Sequence, residues 1–111
     1  MQKFEYRTPR FRVDLPVQFS VEDVVFLGRC SEISRDGMTL EIREAPAPKS
    51  AGTVLINAHD QSMEISARVA HVEANHVGLE FCYESETERD AMARLIASLA
   101  AGPRPGPVLL R

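Results

Sequence analysis

Met63, Ile65, Ala67, Val69 and His71 alternate with Glu64, Ser66, Arg68 and Ala70 in the longest clean two-residue period of the chain. Successive side chains of a strand point to opposite faces, so this run predicts a half-buried strand over 63–71. Similar patterns surround it. Val13, Leu15, Val17 and Phe19 alternate with Asp14, Pro16, Gln18 and Ser20, which predicts a first strand from Arg12. A β-branched, apolar segment over 24–33 predicts a second strand. Met38, Leu40 and Ile42 alternate with Thr39, Glu41 and Arg43 in a third, residues 53–58 form a short apolar fourth, and Val77, Leu79 and Phe81 mark a sixth. Pro16 has no N–H to give to a ladder, so it belongs at an edge, an irregular start or a bulge. Six short strands in close succession within 111 residues predict a mainly-β domain, an antiparallel barrel or sandwich.

At Glu84 the period changes. Ser85 and Glu88 have the spacing of a capping box, the first turn is acidic, and Met92, Leu95, Ile96 and Leu99 recur at helical spacing up to Gly102. One amphipathic C-terminal helix is expected, its apolar stripe buried against the strands or against a partner. The organisation read from these patterns is a flexible basic arm over 1–12, a folded unit over 12–101 and a Pro/Gly-rich tail over 102–111.

Charge narrows the function. Residues 1–12 hold Lys3, Arg7, Arg10 and Arg12 against Glu5, a local charge of +3, whereas the remainder holds nine bases against fifteen acids, −6. An acidic body lacks the broad basic face that a nucleic acid polymer requires, but a basic arm suits a small anion with a few phosphates. No apolar run approaches the ~20 residues of a bilayer span. The arm has no apolar stretch behind its bases, so a secretory signal is not supported and a cytoplasmic location is expected. Cys30 and Cys82 lie outside any metal or redox spacing and are expected as free thiols, with no metal site.

The turn between the second and third strands is Ser31-Glu32-Ile33-Ser34-Arg35-Asp36-Gly37. In it Ser34 offers a hydroxyl, Glu32 and Asp36 carboxylates, Arg35 a guanidinium, and Gly37 is expected to permit a positive φ and a close approach of ligand to backbone N–H groups. The same composition also serves an ordinary tight turn. His59, His71 and His76 have no ligand or catalytic spacing and are expected at the surface. With no nucleophile motif anywhere, an enzyme is not expected.

Taken together, Arg10-Phe11-Arg12-Val13-Asp14-Leu15-Pro16-Val17, the turn Glu32-Ile33-Ser34-Arg35-Asp36-Gly37 and the late Val77-Gly78-Leu79-Glu80-Phe81 resemble the PilZ domain family in order and spacing. The resemblance implies a six-stranded antiparallel β-barrel followed by a C-terminal α-helix. It also implies binding of the bacterial second messenger cyclic di-GMP through an Arg-x-x-x-Arg arm and an Asp/Asn-x-Ser-x-x-Gly turn, with no cofactor. On the turn, Ser34 and Gly37 match and Glu32 replaces Asp or Asn. On the arm, Arg10 matches the second arginine, Tyr6 stands where the first belongs, and Arg7 comes one position later. The resemblance thus implies Arg7 and Arg10 on phosphate or guanine, Ser34 and the Gly37 backbone against the ligand, Glu32 accepting from a guanine N–H, and Tyr6 stacking without supplying charge. An unidentified protein partner is implied as the recipient of the signal. The alternative is a degenerate member that has lost the nucleotide and serves as an adaptor in motility, pilus or chemosensory machinery.

Overall fold

The computed structural model describes residues 9–58 and 61–101. Six strands precede one helix: β1 (Phe11–Val21), β2 (Val24–Ile33), β3 (Gly37–Ile42), β4 (Ala51–Ala58), β5 (Gln61–Glu73), β6 (His76–Phe81) and α1 (Glu86–Ala100). They close into an antiparallel barrel in the order β1-β2-β3-β6-β5-β4. Closure through β1 and β4 leaves that seam without a free edge, and the order requires the chain to cross from β3 to β4 through the loop over 43–50.

The expected periods hold inside most strands. Val17 and Phe19 of β1, Val54 and Ile56 of β4, Ile65, Ala67 and Val69 of β5, and Val77, Leu79 and Phe81 of β6 point inward and are buried. Pro16 faces Arg29 of β2 in the β1–β2 ladder and lacks a partner only on its β4 side. β1 pairs with β4 only over 17–20, so Pro16 lies beyond that ladder, just after a register shift between Arg12 and Leu15. Met92, Leu95 and Ile96 of α1 join the same core cluster, which answers where the apolar stripe of the helix is buried. Ser85 caps α1 by accepting from the Glu88 N–H at 3.2 Å. Glu88 reaches back to the Glu84 N–H at 2.8 Å, one residue before the position a standard capping box uses.

Two bulges interrupt the alternation, and both were hidden in the sequence. Between Cys30 and Glu32 the β2–β3 register shifts by one residue, so Cys30 and Ile33 both face the core while Glu32 turns outward. Between Val69 and His71 the β5–β6 register shifts in the same way. The alternating run taken alone would carry His71 inward; the bulge returns it to the surface, where it was expected. Ala70 is the inserted residue, His71 is exposed, and Val72 takes the inward phase.

Cys30 and Cys82 are both free. Burial pushes the Cys30 thiol from its usual 9.0 up to about 12. The unfolded chain releases this proton near pH 9 and the folded chain does not, so stability is complete below pH 9 and is lost as the pH rises toward 12. Urea unfolding is expected to show a loss on the order of 2–3 kcal/mol across that window, with a shallower slope in Cys30→Ala. Equal slopes in the two proteins would refute the assignment.

Candidate functional site

The β2–β3 turn is built by its own polar groups. The Ser34 N–H donates to the Gly37 carbonyl at 2.8 Å, and the Asp36 N–H donates to Ser34 Oγ at 3.1 Å. Ser34 is buried, and its hydroxyl retains a proton to donate and a second lone pair. Gly37 serves a different purpose from the one expected. Its φ lies outside the left-handed region, and a Cβ on it would stand 2.0 Å from the Leu79 carbonyl oxygen, so glycine is there because β3 and β6 approach closely.

Arg10, just before β1, extends over the barrel face and donates from Nη1 to Glu32 Oε1 at 3.1 Å. The turn and the arm are thus joined through the two charged groups that the sequence assigned separately to a ligand. Both side chains remain substantially exposed, at 55% and 38%, which leaves the pair open to exchange for other partners. Tyr6 and Arg7, the other two arm positions singled out, lie outside the described residues.

A cleft of about 380 Å³ opens beside this pair. Arg10, Glu32, Ser34 and Gly37 line one side; Ala70, His71, Gly78 and Glu80, none of them anticipated, line the other. Strand register explains the arrangement. Arg12 pairs with Glu32, Glu32 with Thr39, Thr39 with Gly78, and Gly78 with His71, forming one lateral row across β1, β2, β3, β6 and β5. Small residues occupy the middle of the row and long or charged ones its ends. At ~4.8 Å between strands, the Glu32 and His71 backbones are at most about 14 Å apart, a span suited to a nucleotide-sized ligand. A second depression of about 480 Å³ shares Glu32 and Thr39 with the first and adds Arg12 and His76.

The turn is also wired to the helix. The Phe81 N–H donates to the Asp36 carbonyl at 2.8 Å, and the Tyr83 hydroxyl donates to the Arg35 carbonyl at 2.5 Å. Burial pushes the Tyr83 phenol up to about 12, so it remains a donor at neutral pH. Arg89 of α1 lies over the Tyr83 ring at 4.7 Å from its centroid. Among the described residues no group of three or more His, Cys, Asp or Glu is gathered to hold a metal ion, and no helix is long and apolar enough to cross a membrane.

The chain belongs to the PilZ domain family, whose profile matches residues 5–98. The solved structures agree. The PilZ domain of YcgR from Escherichia coli, determined with c-di-GMP, superposes with a TM-score of 0.75 at 16% identity, covering 86% of this chain and 92% of that one. The PilZ domain of CeSA from a cellulose-synthesizing bacterium gives 0.71 at 14% identity, covering 83% and 98%. MotI/DgrA, an inhibitor of motility from Bacillus subtilis, gives 0.69 at 16% identity, covering 94% of this chain and 55% of that protein. Identities of this size speak for the fold alone. No curated protein matches the chain.

Proposed function

We propose that this chain is a cyclic di-GMP receptor domain that passes the binding event to a protein partner. The observation that carries this reading is the cleft in which Arg10, Glu32, Ser34 and Gly37, four positions of the family's two binding motifs, meet on one face of the barrel. The YcgR domain of the same fold was solved with this nucleotide. In the proposed complex the Arg10 guanidinium exchanges Glu32 for a phosphate, which its fork geometry suits. Glu32, released, accepts from a guanine edge. Ser34 Oγ and the backbone at Gly37 hold the ligand against β3. The arm over 1–12 closes over it, with Arg7 adding charge and Tyr6 a ring.

The hydrogen bonds from Phe81 and Tyr83 to the turn support a route for the output, since a turn that shifts on binding pulls on the residues leading into α1. Titration calorimetry of the full chain with cyclic di-GMP is expected to give a saturable heat at ligand concentrations up to tens of micromolar. Absence of heat from folded protein would reject the reading.

A second reading, an adaptor that no longer uses the nucleotide, draws on a different surface. Val24, Val25 and Leu27, at the start of β2, are 53%, 53% and 68% exposed. Under this reading such a patch serves a protein contact without a ligand, and the calorimetric experiment separates the two.

A further inference from the structure

We infer that residues 24–27, the start of β2, are an interface to a second copy of this chain, joined edge to edge across a twofold axis. None of the four lines either depression, so the inference stands apart from the nucleotide. β2 outruns its neighbour on one side. It pairs with β1 from Val24 opposite Val21 to Ile33 opposite Phe11, whereas β3 accompanies it only as far as Gly28, opposite Ile42. Beyond Ile42 the chain bends toward β5, where the Lys49 N–H donates to the Val69 carbonyl at 3.2 Å. Among the described residues, no strand lies against the β3 side of residues 24–27. The polar groups on that edge follow from the ladder. The Ile42 N–H donates to the Asn75 carbonyl on the β6 side, so Ile42 and Gly28 face each other without bonding each other. Alternation then turns the N–H and C=O of Phe26 and Val24 toward β1, and those of Val25 and Leu27 toward the open edge. The two-residue turn between Val21 and Val24 agrees, since the residues that flank such a turn bond each other.

Open edges are ordinarily guarded by charge or proline, and this one reads Val-Val-Phe-Leu. Val24, Val25 and Leu27 are also the exposed large apolar side chains among the described residues. The edge is complementary to itself. Two antiparallel copies related by a twofold axis set one residue opposite its own mate, and the end of β3 decides which. Centring on Phe26 would bring Val24 of the second copy opposite Gly28, the place that Ile42 holds. Centring on Val25 avoids this clash. Val25 then meets its own mate through two N–H to C=O bonds, and Val24 faces Phe26 of the second copy. On the outer face the two Val25 side chains adjoin, with each Leu27 at the diagonal position, so four exposed apolar groups cover one another. Charge completes the fit. Asp23 of one copy falls opposite Leu27 of the other, and continuing the β2–β3 register from Gly28 and Ile42 brings Arg43 to that same point. Asp23 and Arg43 are both exposed, so the acidic turn of each copy meets a guanidinium of the other.

So short an edge buries less than the ~1,200 Å² of a standard interface, so the dimer is weak and builds up with concentration. Sedimentation of the full chain, with reductant present so that a disulfide at the free Cys82 cannot stand in for the contact, is expected to show monomer near about 10 μM and dimer near about 1 mM. Leu27→Lys places a charge on the edge. Val25→Pro removes an N–H that faces the edge and no bond to β1. Each is expected to raise the dissociation constant at least about tenfold while the far-UV circular dichroism stays that of the folded barrel. Asp23→Arg and Arg43→Asp are each expected to weaken the dimer about threefold, and the two together to restore it to within about twofold. A wild type that remains monomeric up to about 1 mM would overturn the interface. So would a dimer that survives in both folded edge variants, since it would lie on another face. A charge exchange that does not restore the dimer would overturn the pairing centred on Val25.

Discussion

Replacing Gly37 by alanine is expected to lower the unfolding free energy by on the order of 4 kcal/mol or more, the largest stability effect of any single methyl addition in the turn. The added Cβ would stand 2.0 Å from the Leu79 carbonyl oxygen and 3.1 Å from its carbon, both in the backbone of β6. No rotamer relieves such a clash. Gly37 opposes Glu80 in the β3–β6 ladder, and the neighbouring Phe81 N–H is bonded to the Asp36 carbonyl, so relief requires the two strands to part. Parting them gives up ladder hydrogen bonds worth about 1 kcal/mol each, in addition to the overpacking cost. Urea denaturation followed by far-UV circular dichroism measures the change, and a variant within about 1 kcal/mol of wild type would contradict the geometry. Because the turn itself moves, any loss of ligand in this variant reports on the barrel and not on a missing contact at Gly37.

The opposite separation is expected for Arg10→Ala. Its ion pair with Glu32 is solvent-exposed on both sides, and such pairs contribute under about 1 kcal/mol, so the melting curve should scarcely change. Affinity for cyclic di-GMP should fall roughly 100-fold, the worth of a charge-assisted, two-pronged contact to phosphate. Arg10→Lys retains the charge but not the fork and should lie between the two proteins. Calorimetry at fixed ionic strength, paired with thermal melts, makes the comparison. An Arg10→Ala protein that melts and binds like wild type would remove this residue from the site while the receptor reading stands.

Legibility of the fold followed the strength of the local signal. Alternation over β1, β3 and β6 and the helical spacing of Met92, Leu95 and Ile96 were visible because a buried face imposes its period on the residues that form it. One half of the cleft was visible for a related reason: Arg10, Glu32, Ser34 and Gly37 fall in two short motifs, each contiguous in the chain. The other half was not. His71 and Gly78 are separated by a hairpin, His71 belongs to no motif, Gly78 lies in the late 77–81 stretch without an expected site role, and the alternating pattern taken alone would turn His71 inward. The bulge at Ala70 has no compositional mark, since it is decided by how β5 must bend to pair with β6 while the barrel closes.

What the chain determines by itself is the set of elements and their apolar faces, because periodicity and capping are local matters of side-chain direction and hydrogen-bond donors. It also determines the identity of the arm and turn groups that bear charge. Only the tertiary structure decided that Arg10 and Glu32 hold each other, that Gly37 is needed for strand approach rather than for a positive φ, and that His71 lies across Gly78 at the far side of the cleft. Each of these depends on register between strands distant in sequence, and a shift of one residue reverses every side chain that follows it.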